Sequence, residues 1–279
     1  MKNIFSWHRV WVIAASLTLI QVPAFAQSSV DTAWTKLQAG LAEKDNDNRS
    51  AAVRVLGLLE GNPKAGELAM VGLEDKNPDV RAAATEVLGQ LKVKSAVPKL
   101  RDLVKNEKEV SVVIASARAL VTLNDPVGYA AYFAVLTGEK KSGGSIIGDQ
   151  EKMLKDPKKM AQFGFNQGIG YIPFAGIGYG VFKAVTKDDA SPVRAAAAKV
   201  LANDPDPHSG DALVKAASDK SWIVRAAALD AIAHRNDPSL APQIESSLSD
   251  DNAIVRYTAS AAIIHLNDVS AANGRKAKK

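Results

Sequence analysis

A nine-residue segment opening on arginine and running through small residues recurs along the chain, and this recurrence constrains the fold more than any other feature. Arg81-Ala82-Ala83-Ala84-Thr85-Glu86-Val87-Leu88-Gly89 is echoed by Arg194-Ala195-Ala196-Ala197-Ala198-Lys199-Val200-Leu201-Ala202 and by Arg225-Ala226-Ala227-Ala228-Leu229-Asp230-Ala231-Ile232-Ala233. Looser copies start at Arg49 and Arg256, and a degenerate one has Val113 in the arginine place. The successive spacings are 32, 32, 81, 31 and 31 residues. A period of that length belongs to a two-element unit that cannot bury its own apolar face and must stack on copies of itself.

Each copy reads as a helix. Alanine lets neighbours approach closely, while Val and Leu at helical spacing face a core. Asn77-Pro78-Asp79, Ser191-Pro192 and Asp251-Asn252 supply capping side chains at its start. A second amphipathic helix precedes it at 63–73, 95–104, 207–217 and 238–248. The turns Asn124-Asp125-Pro126, Asn203-Asp204-Pro205 and Asn236-Asp237-Pro238 place Asn at one helix end, Asp as the next cap and Pro in the following first turn. No segment alternates with period two, so no sheet is expected.

Helix pairs with an x-Pro-x-Val-Arg-x-Ala-Ala second helix resemble the HEAT-repeat family, in its short subtype of PBS-lyase HEAT-like repeats within the armadillo-like helical folds. The resemblance covers about residues 30–270 outside the long interval. It implies an all-α solenoid of about six helix pairs, used mainly for protein–protein binding. It also implies a structural ladder between neighbouring units, in which Asp79, Arg81, Arg194, Arg225 and Arg256 take part.

The 81-residue interval contains an insertion. The first helix of the fourth unit runs through Tyr129, Tyr132, Phe133 and Leu136, and Leu136 corresponds to Leu73 and Leu248. From there to Arg194 the chain is about 50 residues longer than in the other units. Residues 138–190 are therefore expected to leave the turn between the two helices of one repeat, with ends close together. Positions 163–182 carry no charge and bear Phe163, Phe165, Tyr171, Phe174, Tyr179 and Phe182 among six glycines and Pro173. An apolar patch of that size is either buried or functional. It is expected to bind a protein partner or to cover the solenoid groove; contact with a membrane surface is also compatible with it.

The N-terminus carries Lys2, His8 and Arg9, then an apolar run from Val10 to Ile20, then Ala24-Phe25-Ala26. This order is that of a secretory signal peptide cut after Ala26, which predicts a periplasmic or secreted chain. There is no cysteine, in keeping with an oxidising compartment. The formal charge of +5 does not point to nucleic acid. Lys2 and Arg9 lie in the leader, and Arg275, Lys276, Lys278 and Lys279 lie in a basic tail at 269–279, so the body is close to neutral.

Enzymatic alternatives exist among such repeats: bilin lyases, and deoxyhypusine hydroxylase, which holds iron through His-Glu pairs on successive helices. Here His234 and His265 each lie nine residues after their arginine but are followed by Arg235 and Leu266. Two histidines fall short of a metal site. No Gly-x-Ser-x-Gly, phosphate loop or paired-carboxylate pattern appears. The reading is a non-enzymatic scaffold without catalytic residues, metal or cofactor; the alternatives are a lyase-like accessory enzyme or a membrane-associating protein.

Overall fold

The computed structural model describes residues 24–137 and 190–277, which form an all-α solenoid. The helices are α1 Ala24–Leu41, α2 Asn46–Arg54 (continued by a 3₁₀ turn, Val55–Leu58), α3 Pro63–Gly72, α4 Pro78–Gln90, α5 Val97–Asn106, α6 Val110–Thr122 and α7 Pro126–Thr137. After the interval come α8 Ser191–Leu201, α9 Pro207–Ala216, α10 Trp222–Arg235, a 3₁₀ stretch Pro238–Ser249 and α11 Ala253–Lys276. Most of residues 1–26 lie outside the described part, as do 138–189. Helix α1 starts at Ala24, so a cut after Ala26 would shorten it by three residues.

The caps follow from side-chain chemistry, with three departures. Asn77 and Asn252 each accept two backbone N–H bonds at the starts of α4 and α11. Asn124 and Asn236 adopt left-handed φ of 60° and 55°, and the next residues, Asp125 and Asp237, cap the following helices. At 203–205 the turn shifts: Asp206 caps α9, with Pro207 in its first turn, and Arg235 occupies the carbonyls of Leu201, Asp204 and Asp206. Ser191 does not cap α8; its Oγ accepts from the Arg194 guanidinium. The stretch 238–249 is 3₁₀ rather than α, with Pro242 inside it, where the ring clashes with the carbonyl four residues back in an α-helix. The tail is also helical, since α11 continues through 269–276.

Inner faces are closely packed. Gly89 lies so near α6 that a Cβ there would sit 3.0 Å from the Cα of Ala119. Second helices stack side by side as α2, α4 and α6, and as α8, α10 and α11.

The order of the stack departs from the sequence. Helix α11 packs on α1 and α2, so the last repeat adjoins the first. The row of second helices therefore runs α8, α10, α11, α2, α4, α6. Tyr257 fills the junction, where the other arginine-bearing copies carry Ser50, Ala82, Ala195 or Ala226. A Cβ at Gly40 would lie 2.5 Å from its Cε1. Asn62 donates to Asp268 at 2.7 Å and Ser29 to Glu245 across the same seam. Helix α7 rides on α6, where Gly128 touches the α6 backbone, and Asp125 at its cap takes a fork from Arg101 of α5. Helices α7 and α8 do not pack along each other as the other pairs do. The expectation that the insertion ends lie close is thus overturned: the fourth repeat is split between the two ends of the array.

One charge row bears on this order. The ladder does not: Arg49, Arg81, Arg194 and Arg225 each reach an acid of the next repeat, whereas Val113 of α6 has no guanidinium and Arg256 of α11 bonds only to carbonyls of its own loop. Five residues after each arginine place stand Arg54, Glu86 and Arg118, then Lys199, Asp230 and Ala261. Arg54 donates to Glu86 at 2.6 Å. Stacking α8 on α6 would set Arg118 beside Lys199, whereas stacking α2 on α11 sets Arg54 beside Ala261. Like charges oppose the first arrangement.

Candidate functional site

The ladder is one candidate set, and its geometry is that of a cross-link. Arg49 holds Asp75 with two bonds of 2.7 and 2.9 Å, Arg194 holds Asp219 at 3.1 Å, and Arg225 holds Asp250 with two of 2.7 Å. Arg81 reaches Glu107 at 2.9 Å. Arg49, Arg81, Arg225 and Arg256 also donate to carbonyls five and six residues back, closing their own loops. The acid is not Asp79, which gives only its backbone carbonyl to Ser50. It is Asp75 and its equivalents, six residues before the next arginine place, a spacing legible in the sequence once the pairing is known. Each acid also accepts the backbone N–H two residues on. Arg49 holds the Asp75 carboxyl below its ordinary value. At Glu107, Asp219 and Asp250 burial opposes ionisation, and the guanidinium together with backbone amides outweighs it, so these also titrate low.

A second set lies on α8, α10 and α11. Burial pushes the Asp230 carboxyl up and the Lys199 ammonium down. His234 Nδ1 is 2.9 Å from the Asp230 carbonyl and 3.7 Å from its carboxylate. His265 lies mid-helix, and its Nε2 is 2.7 Å from Asn236 Oδ1, so Nε2 carries the proton; the buried Nδ1 has no partner. Burial lowers the His265 pKa, and the charge of His234 adds to that. Among the described residues no group of three or more metal-ligating side chains is placed to hold an ion. This set ties repeats together as the ladder does.

The third set is the split repeat. On α8, Val193 and Val200 are 71% and 73% exposed, and Ala196 and Ala197 are exposed with them. The same register is buried elsewhere: Val80, Val224 and Val255 match Val193, and Val87, Ala231 and Ala262 match Val200. On α7, Tyr129 and Phe133 are 65% and 58% exposed and Tyr132 is 37% exposed. Tyr132 stands at the register of the buried Ala69, Leu213 and Ile244, and Tyr129 at that of Gly66 and Gly210. Helix α7 carries no charge along its length. Both stripes follow i, i+3, i+4 spacing, and on α8 the stripe extends to i+7.

A profile of HEAT repeats matches residues 34–121 and 180–264, more than half of the chain. The chain belongs to the HEAT-repeat family. No curated protein matches it. Among solved structures, human deoxyhypusine hydroxylase in complex with glycerol is similar at 16% identity over 88% of this chain and 99% of that one, with a TM-score of 0.32. The aromatic residues singled out in the insertion, Phe163, Phe165, Tyr171, Phe174, Tyr179 and Phe182, lie outside the described residues. The split HEAT repeat was missed in the sequence, although tyrosine at positions that hold glycine in repeats two and five was a signal for it. No described helix is long and apolar enough to cross a membrane.

Proposed function

We propose that this HEAT-repeat scaffold is an exported, non-enzymatic adaptor that binds a protein partner at its split fourth repeat, the insertion 138–190 adding contact surface. The observation that supports this is the pair of open apolar stripes on α7 and α8. They flank the insertion, at positions that are interfaces in the other repeats. Unsatisfied apolar faces of this kind mark association surfaces. Cross-linked capture from the exported fraction, with the native chain and with Val193→Asp/Val200→Asp, is the test. Loss of the captured protein with an unchanged circular-dichroism spectrum supports the reading; equal capture by both overturns it. Export predicts a mature N-terminus at Gln27 by N-terminal sequencing, and an intact Met1 in the exported fraction would count against it.

A further inference from the structure

The split repeat names its own partner. We infer that the fourth repeat is completed in trans by a second copy of this chain, α7 of one protomer lying along α8 of the other, reciprocally. The inference rests on reading the split repeat as a docking site and commits that site to one occupant. By repeat register α7 is the first helix that α8 lacks, and α8 is the second helix that α7 lacks. The α8 stripe is in register with the packed faces of α4, α10 and α11, so a helix seated there continues an interface already present along the array.

The two stripes also fit by shape and charge. Helix α7 offers the rings of Tyr129 and Tyr132, whereas α8 offers a shallow surface of Ala196 and Ala197 between Val193 and Val200. Large side chains against small ones let helices interdigitate, while two aromatic faces or two alanine faces leave gaps. The uncharged α7 asks no desolvation of a partner charge. A single helix pair is small beside the ~1,200–2,000 Å² of a stable interface, and reciprocal pairing doubles the area and closes the assembly with no free end.

The test is the oligomeric state of the mature full chain, by sedimentation over a range of concentrations. A dimer is expected. Val193→Asp/Val200→Asp and, separately, Tyr129→Asp/Tyr132→Asp should each weaken it about tenfold or more. Both pairs change exposed positions, and circular dichroism checks that the fold is kept. Mixing the two variants should give a heterodimer tighter than either variant homodimer but weaker than the native dimer, because one of its two helix pairs is intact and the other carries both changes. Val71→Asp, on an equally exposed valine of α3, should leave the dimer unchanged. A monomer at every concentration, or a dimer indifferent to both stripe variants, overturns the inference. A monomer that still loses its cross-linked partner on Val193→Asp/Val200→Asp overturns it while leaving the proposed adaptor role standing. A stripe-dependent dimer whose captured protein is unaffected supports it and removes that role.

Discussion

Arginine does two jobs in repeats one, two and five: one edge of the guanidinium closes its own loop through backbone carbonyls, and the other holds the acid of the next repeat. Arg225 shows both, with Asp250 on one side and the carbonyls of Asp219 and Lys220 on the other. Arg225→Ala strands a mostly buried carboxylate and opens the loop, so a loss of about 1–3 kcal/mol is expected in denaturant titration. An unchanged midpoint would mean the ladder is ornamental. Gly40 acts by absence of a side chain. A methyl there meets the Tyr257 ring at 2.5 Å and the Ala52 Cβ at 2.9 Å. Gly40→Ala should cost about 1–3 kcal/mol by overpacking, and adding Tyr257→Leu should recover part of it. Additive costs would show that the two residues do not share the seam.

At the scale of elements, the seam between α11 and α1 competes with the pairing of α7 and α8. Along the row of second helices, α8 and α6 are five steps apart at about 8–10 Å each. A four-residue turn reaches only about 14 Å. Replacing 139–188 by such a turn is therefore expected to draw α7 and α8 together and pull the Tyr257 seam open, lowering the melting temperature with little change in helix content. A shortened chain that melts as the native one does would show that repeat six does not rest on repeat one. This expectation follows from α7 and α8 lying at opposite ends of the array, where the sequence had placed the ends of the insertion close together in a single turn.

The whole molecule should lose stability in two steps as pH falls. His265 has a folded pKa below its ordinary 6.5, so its contribution is complete above that value and is lost as pH falls through the lowered one. Asp75, Glu107, Asp219 and Asp250 titrate below the ordinary 3.8 and 4.5, so their contribution goes at more acidic pH. Asp230, raised by burial, runs the opposite way: it adds stability as pH falls through its raised value towards the ordinary 3.8, ahead of the second step. His265→Gln should flatten urea midpoints between pH 7 and 5 and leave the acidic step; a native slope in that variant would locate the proton elsewhere.

Repetition made the fold legible. The Arg-Ala-Ala period, the Asn and Asp caps and the Val/Leu spacing are local signals, and local signals suffice when every contact inside a unit recurs in the next. The arginines stood out as the first residue of the recurring segment, and their ladder role was what the family resemblance implied; their acid was missed because the pairing crosses between units. The order of the units was not readable, because any unit of such an array can stack on any other. Tertiary structure decided it through particular side chains: Tyr257 fits the space left by Gly40, Asp268 meets Asn62, and Arg118 is kept away from Lys199. That choice leaves α7 and α8 at opposite ends of the array with their apolar stripes open, because each stripe needs a helix that the chain has placed elsewhere.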